Sequence, residues 1–237
     1  TITTANAATT GSNTITINIT ALGITDDGTS VNNLIEASSG LDAPNYVLNA
    51  PSYLNGRVSI SESAGLVQLQ SIAGTGGRIL YWDGGNGPFS WTDSPANWSA
   101  AKTGGAAPAS TPAIDDTVIF TADGVAAGAL NTTLDDDVRI DSLIVESNDN
   151  ATGPITIAAG TGSFLGIAPV TTTDGIEISS GGPDLTVSAP LRILGDQEWD
   201  VQDAASSLTL SGGLEGEGNV AIVGAVTTTI SAAADVG

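Results

Sequence analysis

The sequence predicts an all-β chain, most of it a parallel β-helix, on three observations. Short β-branched runs with apolar residues at alternate positions recur from end to end, separated by clusters of Gly, Asn, Asp, Ser and Pro. In the second half these runs crowd together: from Leu185 the chain reads LTVSAPLRIL, EWDVQD, LTLSGGLEGEG, NVAIVG and TTTISAA. Greek-key sandwiches space their strands more widely, at about 8 to 12 residues. A solenoid coil instead joins two or three brief strands by tight bends and turns small or branched residues inward. The third observation is that 41% of residues are hydrophobic but only 4% aromatic, which gives slim side chains suited to thin layers repeated many times. A pair of β-sandwiches is the alternative architecture.

The elements follow in order. Strand-like runs are Asn13–Thr20, Leu34–Ala37 and Tyr46–Leu48, the second overlapping a stretch, 32–38, too short to stand as a helix. Arg57–Ser63 and Leu66–Ser71 alternate on either side of Ala64-Gly65 and read as a hairpin. Small residues at 73–77 mark a boundary, so the chain divides into closing strands with a hairpin (1–78), a Trp-rich cap with a flexible loop (79–112) and solenoid coils (113–237). Arg78–Trp82 opens the cap, and the loop is Ala100–Pro112, where prolines, paired glycines and absent large apolar residues cannot build a core. The coils supply Thr117–Thr121, Val138–Glu146, Pro154–Ala158, Gly175–Ser179, Leu185–Ser188, Leu191–Leu194, Glu198–Val201, Leu208–Ser211, Asn219–Val223 and Thr227–Ser231. The pairs Gly181-Gly182 and Gly212-Gly213 suit bends of positive φ, and Thr171–Thr173 and Thr227–Thr229 suit outward ladders.

Composition excludes several chemistries. There are 5 basic and 26 acidic residues, a net charge of −21, which repels nucleic acid and anionic membranes. His, Cys and Met are absent, so no Ser-His-Asp triad, thiol nucleophile, His or Cys zinc site, iron–sulfur cluster or His-ligated haem can be built. A mean hydropathy of +0.18 argues for a packed core rather than an acidic disordered chain, and no apolar run reaches the ~18 residues of a membrane span.

Three of the four tryptophans fall within YWDGGNGPFSWTDSPANWS, residues 81–99. Trp82, Trp91 and Trp98 with Phe89 form either a plug over an open solenoid end, stabilising by about 1.5 to 3 kcal/mol per buried side chain, or an exposed platform for sugar rings. Asp83 and Asn97 belong to the same segment, and Asp83-Gly84 and Asn86-Gly87 are turn signals. The order Trp82-Asp83-Gly84, Trp91, Ala96-Asn97-Trp98, followed by DDTVIF at 115–120, resembles the opening of an autotransporter-associated β-strand repeat unit. Leu143–Val145, Ile155–Ile157 and LTLSGGLEGEGNVAIVG at 208–224 are similar to the coils of that family, though its common K-x-G-x-G-x-L-x-L turn is missing. The resemblance covers Tyr81–Gly237. It implies a β-solenoid within a large bacterial surface or secreted protein, of the kind found in Verrucomicrobia and Planctomycetes. It also makes NTITINITALGITDDG, near the start, similar to the finish of such a unit, so that residues 1–78 would close one unit and 79–237 open the next.

Acidic pairs are the remaining candidates. Asp115-Asp116, Asp135-Asp136-Asp137, Glu198 with Asp200, and Glu215 with Glu217 have the residue types of a glycosidase. The bases that β-helix lyases employ are scarce: Lys102 lies among alanines and glycines, and Arg57, Arg78, Arg139 and Arg192 are far apart in sequence. Asp26, Asp27, Asp135, Asp137 and Asp149 are weak calcium candidates, without an EF-hand or nonapeptide array. Arg139 beside Asp137 and Asp141 reads as a surface charge ladder worth under about 1 kcal/mol. The sequons at Asn18, Asn97, Asn131 and Asn150 read as coincidence in an Asn- and Thr-rich chain.

The expectation is a non-enzymatic extracellular or cell-surface structural module: a segment or subunit of a stalk, filament or adhesin. Its partners would be copies of itself or neighbouring units, met head-to-tail through open β edges, or a polysaccharide. No nucleic acid, cofactor or membrane insertion is expected. A carbohydrate-binding module with exposed tryptophans and a β-helix polysaccharide-degrading enzyme are the alternatives.

Overall fold

The computed structural model describes residues 2–3, 15–18, 31–36, 46–49, 58–63, 66–71, 77–84, 89–123, 125, 130–147, 153–161, 163–169, 173–216, 218–225, 227–231 and 234–236. The chain falls into two compact units, Thr1–Thr75 and Gly76–Gly237.

The first unit contains β1 (Ile2–Thr3), β2 (Ile15–Asn18), β3 (Val31–Glu36), β4 (Tyr46–Asn49), β5 (Val58–Ser63) and β6 (Leu66–Ser71). β5 and β6 form the expected antiparallel hairpin, Ser63 opposite Leu66, and β6 continues antiparallel to β3. Two pairings are parallel: β1 with β3 and β2 with β4. β1 is the terminal strand of its sheet and β2 lies in a two-stranded one.

The second unit begins with β7 (Ile79–Trp82) and β8 (Trp98–Ser99), followed by β9 (Thr117–Phe120), β10 (Asn131–Leu134), β11 (Val138–Ile140), β12 (Ser142–Val145), β13 (Ile155–Ala159), β14 (Leu165–Ile167) and β15 (Asp174–Ile178). Then come β16 (Leu185–Val187), β17 (Leu191–Ile193), β18 (Gln197–Val201), β19 (Leu208–Leu210), β20 (Leu214–Gly216), β21 (Val220–Gly224), β22 (Thr228–Ile230) and β23 (Ala234–Val236). Every third strand stacks on the same sheet: β10-β13-β16-β19-β22, β11-β14-β17-β20-β23, and β9-β12-β15-β18-β21 extended at its start by β7 and β8. All pairings but β7 with β8 are parallel, so this unit is a three-faced β-solenoid and not a sandwich.

The sequence explains the stacking. Alternate residues of each strand face inward, where adjacent rungs about 4.8 Å apart place like on like. One inward column runs Ile155, Leu185, Leu208, another Leu165, Leu191, Leu214, and a third Val118, Leu143, Ile176, Trp199. These residues are buried, and apart from Trp199 all are β-branched or Leu side chains, which suit a pleated, close-packed interior. Early coils vary in length, but later ones become regular. Leu185 to Leu208, Leu191 to Leu214 and Trp199 to Ile222 are each a step of 23 residues. The corners obey the same step: Asp184 accepts from the Ser207 N–H and Asp196 from the Asn219 N–H, each with a separation of 23.

Both glycine pairs sit at bends. Gly181 has φ +78° and Gly213 φ +107°, the left-handed region that other residues rarely adopt. Gly212 is needed for closeness instead, because a Cβ there would lie 2.2 Å from the carbonyl oxygen of Ala189.

Four details differ from the sequence expectation. The run Val138–Glu146 is two strands on different faces, β11 and β12, with a corner at Asp141. Thr228 lies in the inward column above Leu208, so in that triplet the outward ladder passes through Thr229, which continues Thr156, Thr186 and Thr209. The 100–112 segment carries no strand, yet it is tied down. The Ser99 hydroxyl donates to the Ala101 carbonyl, Ala100 N–H to the Ala106 carbonyl, Gly105 N–H to Asp83, and Lys102 pairs with Glu146. Asp141 is buried and so departs from the solvated charge ladder expected with Arg139. The outward column there runs Arg139, Gly166, Arg192, Glu215, with Arg192 donating to Glu215 at 3.2 Å.

Candidate functional site

The solenoid's two ends differ chemically. At the first end, β7 and β8 extend one sheet beyond β9, and Ser90 bridges to Thr133 beyond β10. Trp82, Trp91 and Trp98 close over the coil between them and are 0% exposed. Their packing is specific. Trp98 meets Trp82 and Trp91 edge to face at 5.0 and 5.1 Å, and Phe120 of the first full rung stacks on Trp82 at 5.8 Å. Such pairs prefer these geometries because the ring edge is positive and its face negative.

Buried indole N–H groups need acceptors. Trp91 donates to the Thr132 hydroxyl at 3.0 Å and Trp98 to the Trp91 carbonyl at 3.0 Å. Thr132 in turn donates to the Thr156 carbonyl, which links the cap to the second coil. Asn97 is buried and its amide donates to the Ser90 carbonyl at 2.9 Å, so this sequon nitrogen is engaged inside the cap. Ser94 caps the short 3-10 turn Pro95–Asn97 by accepting from the Ala96 N–H. Asp83 and Gly84 N–H groups both donate to the Asn97 carbonyl, and the Asp83 carboxylate accepts from Gly105 at 2.8 Å.

The segment expected to be a plug or a sugar platform is therefore built as a plug. Sugar stacking needs an indole face in solvent, and none of these three offers one. Sequence reading missed the polar anchor beside it. Arg78 holds Asp116 through two guanidinium nitrogens and its own N–H, while Ala113 N–H donates to the same carboxylate. Asp116 is buried, and this contact raises the Arg78 pKa above its ordinary value. Thirty-eight positions separate the two residues, so no local spacing announces the pair.

The last described rung lies at the other end. β21, β22 and β23 are the terminal strands of the three sheets. Ile222 follows Trp199 in its inward column and Ile230 follows Leu210, yet they are 45% and 43% exposed where the preceding members are buried.

The acidic candidates spread over flat outward columns. Glu198 sits opposite Asp174 and Asp200 opposite Glu177, with Glu177 accepting from Gln202 and Ser179. Glu215 is committed to Arg192, and Asp115 lies beside the Arg78 anchor. Asp136 accepts from the Asp137 N–H, and Asp137 from the Phe164 N–H. Burial raises the Asp137 pKa, opposed by that hydrogen bond, whereas Asn219 lowers that of Asp196 through its backbone and side-chain N–H groups. Among the described residues, no three or more His, Cys, Asp or Glu side chains gather as a metal site, so Asp135 and Asp137 carry no calcium proposal. Asp26, Asp27, Asp149, Asn150, Glu217 and Arg57 lie outside the described residues, as do Asn86, Gly87, Ala64, Gly65, Thr171 and Thr172. Also among the described residues, no helix is long and apolar enough to cross a membrane.

No family model, curated protein or solved structure matches the chain.

Proposed function

We propose that this chain is a non-enzymatic structural module of an extracellular or cell-surface stalk, filament or adhesin. The observation that carries the reading is the in-register stack of parallel rungs around one continuous aliphatic interior, plugged by indoles at one end. Such a stack resists bending and unravelling because each rung is hydrogen-bonded to its neighbours along three faces. The acidic exterior keeps a repetitive β surface soluble by mutual repulsion. The resemblance of residues 81–237 to autotransporter-associated repeats supports a bacterial surface or secreted parent.

The described carboxylates support this reading over a polysaccharide enzyme, since they pin corners or stand in flat columns rather than converging with a base. Immunogold electron microscopy of intact source cells tests it. Label on surface fibres or stalks is the expected result; label confined to the cytosol overturns it.

A further inference from the structure

We infer that the outward surface of the β10-β13-β16-β19-β22 sheet is an ice-binding face, whose ligand is the ordered water of an ice surface. This goes beyond the structural role above and rests on the stacked rungs alone, not on where the chain resides.

The face is uncharged in a strongly acidic chain. Its strands read NTTL, ITIAA, LTV, LTL and TTI, with no Asp, Glu, Lys or Arg among them, although the net charge is −21. The other two sheets present charge outward: Arg139, Arg192 and Glu215 on one, and Asp174, Glu177, Glu198 and Asp200 on the other. Asp135 and Asp184, adjacent in sequence to β10 and β16, lie beyond the strand ends.

What this face presents instead is a ladder of hydroxyls. Asn131, Thr156, Thr186, Thr209 and Thr229 stand in register on five successive rungs. Two residues further along, Thr133 lies opposite Ala158, and Ser188, Ser211 and Ser231 follow in the corresponding places of the next rungs. The ladder hydrogen bonds continue through them, from the Ser211 N–H to the Val187 carbonyl and from the Ser231 N–H to the Leu210 carbonyl. The Thr156, Thr186 and Thr209 hydroxyls bond to no other described residue, so they are left to water.

Neighbouring rungs lie about 4.8 Å apart. Oxygen rows on the faces of hexagonal ice repeat within a few per cent of that interval. Each Thr offers a hydroxyl that takes the place of a lattice water and a methyl that sits between the rows, whereas a charged group holds its own hydration shell at too high a desolvation cost to join the lattice. Backbone pairing fixes the spacing and β-branched Thr is stiff at χ1, so little freedom is lost on contact. Other occupants fit less well. The face offers no aromatic ring on which a sugar could stack, and neither an aromatic nor an Arg anchor for a protein.

Slow growth of ice from a dilute solution of the full chain tests this, with the fraction of protein taken into the ice compared with that of an acidic protein lacking affinity for ice. The expected result is enrichment of the chain in the ice. Thr186→Lys, in the middle of the ladder, lowers the ice-bound fraction by about fivefold or more. Thr209→Val keeps the side-chain shape and removes only the hydroxyl, lowering the fraction by about twofold, and it decides the matter if Thr186→Lys loses the parent far-UV circular dichroism spectrum. Glu198→Gln, on the acidic sheet, leaves the fraction unchanged. A chain excluded from ice like the comparison protein overturns the inference, and so does uptake that the two Thr variants leave intact or that Glu198→Gln lowers equally. Exclusion from ice combined with Thr186-dependent retention on an insoluble neutral glucan, or with Thr186-dependent self-association in sedimentation velocity, overturns it in favour of that occupant.

Discussion

Replacing Trp91 by Ala tests whether the first end of the solenoid is plugged. The side chain is fully buried, and truncating such a residue costs about 3 to 5 kcal/mol through lost transfer free energy and the cavity left behind. Edge-to-face contact with Trp98 and the tilted contact with Phe120 at 5.7 Å place the loss at the upper part of that range. Trp91→Phe separates the terms. It keeps a ring but removes the N–H that reaches Thr132, and Thr132 retains its bond to the Thr156 carbonyl, so the hydrogen-bond part is about 1 kcal/mol. Ile222→Ala in β21 is the control. Nearly half of that residue is already in water, and its loss costs about 1 kcal/mol. Urea titration followed by far-UV circular dichroism ranks the three, since removing an indole does not compromise that signal. The expected order is Trp91→Ala far below Trp91→Phe and Ile222→Ala. A Trp91→Ala variant within 1 kcal/mol of the parent would refute the plug.

Other outcomes follow from the same contacts. Asp116→Ala removes the acceptor that gathers Arg78 and Ala113, and costs about 3 kcal/mol, reduced from a fully buried pair because Arg78 is partly exposed; thermal melts read it. Gly212→Ala drives a Cβ into the Ala189 carbonyl and destabilises more than Gly213→Ala, which meets open space and costs only the positive φ, about 1 kcal/mol. The lowered pKa of Asp196 means a stabilisation fully present above its unfolded pKa and lost as pH falls through the folded one. Asp137 has the opposite sign: its raised pKa favours the fold below the unfolded value, and that contribution is lost as pH rises through the folded one. Carbon-detected NMR titration should show the Asp196 midpoint below and the Asp137 midpoint above the ordinary Asp range, with Asn219→Ala moving only the former.

The fold class was legible because the inward columns are made of residues whose alternation survives even in runs as short as LTV and LTL. β5 and β6 were equally clear, since each alternates over six residues. One face was hardly legible. Its five strands, VRI, LGI, LRI, LEG and ADV, are three residues long; VRI and LRI were readable, but in LGI a central Gly and in LEG a terminal Gly erase the β-branched signal. β10 was hidden similarly, because NTTL holds a single large aliphatic. Such strands exist because neighbouring rungs template them, a tertiary effect absent from local propensity. At the plug, the indoles could be named from their crowding, but their burial also depends on Phe120 and Thr132, which come from the first full rung. Ile222 and Ile230 alternate like their buried counterparts, and nothing local in the sequence marks them as the exposed members of their columns.

Hydrogen–deuterium exchange of the full chain, read by mass spectrometry, tests the central claim most directly. Amides exchange through local opening, so protection reports how well each rung is held. A solenoid plugged by Trp82, Trp91 and Trp98 predicts slow exchange that begins at β7 and β9 and continues through β18. Fast exchange through β7, β9 and β12 would contradict it.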